Sequence, residues 1–214
     1  MSIKGYSLGL ACGFDEIFNK PVVKDGLSLL QSSLPGNLLY HTYEHTVDVL
    51  KATLNYAAED RVSAREMDLL AIAAVYHDSG FLDQAHDNES FGAERAASAM
   101  RRIGSYTDDQ ISLVKTLILD TIVKITPNGP RQIPSTGLSK YLLDGDMSNL
   151  GREDFFEKGT LLQRELGISE ERDFLKNSLE VMAAHQWHSA PAIRQRTAQK
   201  EENFRLLKTK LGLK

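Results

Sequence analysis

The sequence predicts an all-α, bundle-like fold on three observations. Apolar residues recur at helical rather than strand spacing, and glycine and proline are scarce inside the long segments. Two capping boxes, Ser63-Ala-Arg-Glu66 and Thr107-Asp-Asp-Gln110, open such segments. No stretch shows sustained strand-like alternation, and no internal repeat, low-complexity tract or linker divides the chain. About eight helices with mostly short links are expected.

In chain order, Val22–Leu34 reads as a helix ended by Pro35-Gly36. The next runs over Tyr40–Glu59, with Val47, Leu50 and Leu54 on its packing face. Ser63 opens SAREMDLLAIAAVYHDSG, whose middle, LLAIAAVY, is apolar nearly all round. That marks it as the most buried helix, and Gly80 is placed to end it. NESFGAERAASAMRR carries a helix over Glu89–Arg102, and Thr107 starts DDQISLVKTLILDTIVK. The stretch ITPNGPRQIP, with three prolines and one glycine, must leave the helix. Helices resume over Leu138–Leu150, Glu153–Leu166, Glu170–His185 (capped by Ser169) and Ala192–Leu211. The last is polar with widely spaced apolar residues, which suits the outside of a core.

Composition bounds the function. A hydrophobic fraction of 42% in 214 residues supports a full core without staples. With 25 basic against 29 acidic residues, the chain lacks the basic excess of a long nucleic-acid interface, although a small phosphate site needs only a few groups. Cys12 has no partner for an internal disulfide, as in a reducing compartment. MSIKGYSLGLACG is a poor signal peptide, and nothing approaches the roughly 18 continuous apolar residues of a membrane span. A cytoplasmic, soluble protein is expected, with monomer and homodimer both open.

Chemistry collects in three places. In YHTYEHTVDV, His41 and His45 stand four apart and share a face if the segment is helical; Asp48 lies near that face. His77-Asp78 ends the buried helix. Asp78 is there either solvated, on the wrong side of the helix dipole, or paired with a cation that removes the conflict. In LLDGDMSNLG, Asp144 and Asp146 straddle Gly145, as a turn or as ligands. Mixed imidazole and carboxylate donors suit Mn, Fe, Zn or Mg rather than a thiolate-type structural zinc.

The order His45, His77-Asp78, Asp146 resembles that of the HD superfamily of metal-dependent phosphohydrolases, all-helical proteins of which many cleave phosphate monoesters or diesters, often of nucleotides. YHTYEHTVDV is similar to the histidine motif of cyclic-nucleotide phosphodiesterases and small bacterial HD-family proteins, Tyr-His-x-x-x-His-x-x-x-Val. LLDGDMSNLG resembles the family's last metal-binding aspartate segment. The resemblance covers about residues 38–155. It implies one HD-type domain over 1–214, with a metal-site core at 38–155 and the C-terminal helices, 153–211, packed onto it.

The resemblance assigns His45, His77, Asp78 and Asp146 as ligands of a primary divalent ion, with Asp78 bridging to a second ion if one binds. His41 matches the histidine that protonates the leaving oxygen, so His41 and Asp78 are the catalytic candidates. The chain departs from the phosphodiesterase branch at Phe81, where that branch carries a further histidine. His86, Glu89 and Asp144 remain as candidates for a second metal or for substrate, with a helix cap at Asn88 as the alternative for that segment. In His185-Gln-Trp-His188, Trp187 and His188 form either a pocket wall or a closed helix end. Asp120 either faces the cavity or lies on a polar face. Lys115 is a weaker candidate, and Arg194, Arg196 and Lys200 read as phosphate-side cations or as a solvated face.

The expected activity is divalent-metal-dependent hydrolysis of a small phosphoester, a nucleotide foremost. A non-catalytic nucleotide- or metal-binding regulator and a di-iron oxygenase are the alternatives.

Overall fold

The computed structural model describes residues 14–213; Cys12 and the N-terminal stretch weighed as a leader lie outside them. The all-α expectation holds, with one small hairpin added. After a helical stretch at 14–18 come α1 (Pro21–Ser33), α2 (Tyr43–Glu59) and α3 (Ala64–Tyr76). A 3₁₀ turn, Ser79–Leu82, leads to α4 (Asn88–Ile103) and α5 (Asp108–Leu119). The hairpin pairs β1 (Lys124–Thr126) with β2 (Gly129–Arg131), antiparallel. Then follow α6 (Ser139–Asp146), a 3₁₀ turn at Met147–Gly151, α7 (Phe155–Glu165), α8 (Glu171–Ala184) and α9 (Ala190–Leu211).

Both capping boxes form, at the starts of α3 and α5. Three local expectations need correction. The second helix starts three residues late because Thr42 is its N-cap, accepting from the His45 N–H, so His41 is not helical. Ser169 is not the cap of α8; Glu170 holds that position without a side-chain cap bond. Gly80 does not end α3 in a left-handed cap. It sits in the 3₁₀ turn, where a Cβ would stand 1.9 Å from the Asn88 carbonyl oxygen. The hairpin was hidden in the proline-rich loop because three-residue strands are too short to show alternation.

α3 is the centre, as its apolar middle predicts: Leu70, Ile72 and Val75 are fully buried. α2 packs on α3 and α6, and α5 on α3 and α4. A second apolar cluster joins α7, α8 and α9 around Leu150, Phe155, Phe174, Met182 and Leu207. α9 lies against α8 and the 147–151 turn, burying Leu207 and Leu211 and exposing its charges. No described helix is long and apolar enough to cross a membrane.

Candidate metal centre

The ends of three packed helices bring the central residues together. His45 sits in the first turn of α2, His77 and Asp78 follow the last turn of α3, and Asp146 closes α6. The fit of α4 against this corner depends on two small residues. At Gly92 a Cβ would meet the Tyr76 carbonyl oxygen at 2.4 Å, and at Gly80 it would meet Asn88. The backbone carrying His77-Asp78 is thereby clamped on both sides.

Asp78 Oδ2 lies 3.1 Å from His77 Nε2 and 3.4 Å from His45 Nε2. Asp146 Oδ1 lies 3.5 Å from His77 Nε2 and 3.6 Å from His45 Nε2. Donors at 2.0–2.1 Å from a tetrahedral ion stand about 3.4 Å apart. His45, His77 and Asp146 each offer an atom within 4.8 Å of the others, so this buried group could hold a metal ion.

A cation fits on a second ground. His45 Nε2, His77 Nε2 and Asp78 Oδ2 are all buried without a hydrogen-bond partner. Orphaned polar atoms of this kind are costly, and here they converge on one point. Their outer partners are in place. The His77 Nδ1–H donates to the Ala74 carbonyl at 2.8 Å, which leaves Nε2 as the free lone pair. Asn88 Nδ2 donates to Asp78 Oδ1 at 3.1 Å. Gln132 Nε2 donates to Asp146 Oδ2 at 2.6 Å and to the Thr121 carbonyl at 2.7 Å.

The charges are mutually adjusted. Burial pulls the His45 and His77 imidazoles down, but the neighbouring Asp78 and Asp146 carboxylates outweigh it and hold both above the usual histidine value. Burial pushes the two carboxyls up, yet the imidazoles hold both below the usual range. A divalent ion at this point would compete with protons for the same atoms, so its affinity should rise with pH.

His41 stands outside the donor ring, with its ring centroid 5.5 Å from that of His45. Its orientation comes from Glu165 at the end of α7. Glu165 Oε2 accepts the backbone N–H groups of Leu39 and Tyr40 at 2.7 Å and of His41 at 3.1 Å, while Oε1 pairs with His41 Nδ1. Burial works against that carboxylate, but the His41 hydrogen bond and the Tyr40 amide bring it down to about 2. Phe81 stacks on the far side of the His41 ring, with centroids 4.6 Å apart. Beyond these residues opens a cavity of ≈ 400 Å³, lined by His41, Asp78 and Asp146 on one side.

The outer candidates separate. Glu89 lines the cavity, and burial with the charges of Asp78 and Asp146 raises its carboxyl. His86 is exposed and off the cavity wall. Asp144 is turned away: its two oxygens accept the His188 and Ser189 N–H groups at 2.9 and 2.7 Å. Trp187 borders a different groove, between α8 and α9, and His188 lines neither hollow. Asn88 is no cap; Asp87 precedes the helix in a left-handed conformation and Asn88 serves Asp78. Asp120 is neither surface nor cavity but buried, accepting from Ser135 and Ser139. Lys115 pairs with Glu94, Arg194 with Glu59, Arg196 with the Tyr56 hydroxyl, and Lys200 donates to the His185 carbonyl.

No family model matches the chain, and neither the curated proteins nor the solved structures searched contain a significant match.

Proposed function

We propose that the chain hydrolyses a small phosphoester with the help of a divalent ion held by His45, His77, Asp78 and Asp146. The observation that carries this reading is the convergence of three orphaned buried atoms, with Asp146 beside them, next to a cavity that Asp78, Asp146 and His41 line. The order of these residues, similar to that of the HD phosphohydrolases, supports it as well.

A divalent ion supplies charge for a phosphoryl oxygen and brings the ionisation of water toward neutral pH. The residues supply the rest. Ala74, Asn88 and Gln132 fix the orientation of three donors, so the site needs little reorganisation. Glu165 holds His41 through Nδ1, leaving Nε2 as the ring nitrogen that would serve the leaving oxygen. Phe81 backs that ring and limits its rotation.

The test separates the roles. Protein purified without added metal is analysed for bound elements, then assayed with p-nitrophenyl esters and a nucleotide panel under Mn, Mg, Fe and Zn. His77→Ala should lose both metal and turnover. His41→Ala should keep its metal and lose about 10²–10⁴-fold in turnover. Metal loss in His41→Ala would make that residue a ligand and overturn its role. Saturable nucleotide binding without turnover would favour a regulator, and iron-dependent oxygen consumption an oxygenase.

A further inference from the structure

The cavity beyond the donor ring has two unlike sides. The ligand side is polar. The opposite side is mostly apolar: Phe155 and Leu162 of α7, Phe174 and Val181 of α8, and Leu150 between them, with Asn177 and Ser178 of α8 as its polar members. Among the described residues, no Lys or Arg lines it, whereas Asp78, Glu89 and Asp146 do. A nucleoside diphosphate or triphosphate would bring several charges into a hollow of carboxylates and hydrocarbon, with no lysine or arginine on its walls to meet those beyond the first phosphate.

Cations do stand nearby, on an adjoining narrow recess that shares Tyr40, Asp146 and Asn149 with the cavity. Arg152 and Lys158 border a hollow of only ≈ 20 Å³ beside His45 and Asp146. Arg152 is already held by Asp48 at 2.9 Å and Asp154 at 2.6 Å. That recess has room for the edge of one head group. The main cavity, at ≈ 400 Å³, falls within the roughly 300–1,000 Å³ of small-molecule sites. Its rim carries exposed apolar residues, Val123 and Leu166 at 46% and 58% exposure, beside the exposed Asn177. Phe81 continues the hydrocarbon surface up to His41, at the position where the resemblance led one to expect a polar histidine.

From this we infer that the substrate carries a single anionic head and an elongated apolar arm, such as a medium-chain alkyl or arylalkyl group. The head lies at the donor ring and the arm between α7 and α8. The inference rests on the metal-site reading for the head group; the arm is argued from the walls alone.

The test is an equilibrium titration of the Mn-loaded protein with n-alkyl phosphonates and n-alkanoates from methyl to octyl, beside AMP and ATP. Affinity should rise about fourfold per methylene through the middle of each series, with an increasingly negative heat-capacity change. ATP should bind more weakly than hexylphosphonate. Val181→Trp, at a half-buried wall position, should weaken octylphosphonate more than ethylphosphonate, with its folding checked by thermal melting. A flat response to chain length in both series, or tighter binding of ATP than of hexylphosphonate, overturns the inference. Chain-length dependence without hydrolysis of any ester sinks the hydrolase reading and keeps the apolar arm. Turnover of nucleotides alongside a flat series does the reverse.

Discussion

The two sides of the cavity are built to different standards of packing. The donor ring stands on α2, α3 and α6, where Leu50, Leu54, Leu70 and Leu142 are completely buried. Glycines press the surrounding backbones together there. The facing side, on α7 and α8, rests on a smaller cluster, and much of its apolar surface, including Leu162 and Ile168, is only partly covered. Side chains that must meet one ion need a floor that does not yield; a wall that meets hydrocarbon can be looser and still exclude water. On the proposed reading, precision sits on the first side and selectivity on the second.

Paired truncations put that contrast at risk most directly. Leu70→Ala removes a fully buried side chain from the floor and should cost about 2–5 kcal/mol of unfolding free energy. Leu162→Ala, on the open wall, leaves no enclosed void and should cost less than about 1 kcal/mol. Denaturant melts of the two variants measure both. Equal losses would mean the α7–α8 wall is as tightly packed as the floor.

The outer hydrogen bonds offer a finer probe. Gln132 comes from the hairpin, outside the helical floor, yet its amide holds the Asp146 carboxylate. Gln132→Leu should weaken Mn or Zn binding about 10–100-fold, and the lost bond to the buried Thr121 carbonyl should lower stability by about 1–3 kcal/mol. Unaltered affinity, read by competition with a chelator, would show that α6 alone positions Asp146.

What the sequence disclosed follows the same division. The floor announced itself locally: a capping box, an all-apolar middle and His77-Asp78 directly after it all lie within one helix and its end. Asp146 closes α6, which packs against α2 and α3. Residues contributed across long separations left no such trace. Glu165 is 124 positions from His41, and no periodicity points from one to the other. Gln132 lay in a stretch legible only as a helix breaker. Helical spacing was the wrong reason to join His41 to His45, because Thr42 starts the helix between them; a carboxylate on α7 sets the His41 ring instead. Trp187-His188 was conspicuous in composition, yet the Asp144 carboxylate ties the backbone after it into the start of α9. The one useful negative sign was Phe81, whose apolar character matches the wall it belongs to.

Glu165 links the two sides, and its titration tests that link with the smallest effect. Its carboxyl sits at about 2 in the folded protein against an ordinary 4.5. A depressed carboxyl contributes stability that is fully present above pH 4.5 and is lost as pH falls toward 2. The group is partly solvated, so the contribution after screening is about 1 kcal/mol. Glu165→Gln keeps an acceptor for the 39–41 amides but removes the charge opposite His41. The unfolding free energies of the two proteins should therefore differ at pH 6 and converge toward pH 2. A pH-independent difference would mean that Glu165 acts through hydrogen bonding alone, and the electrostatic hold on His41 from the looser side of the cavity would have to be abandoned.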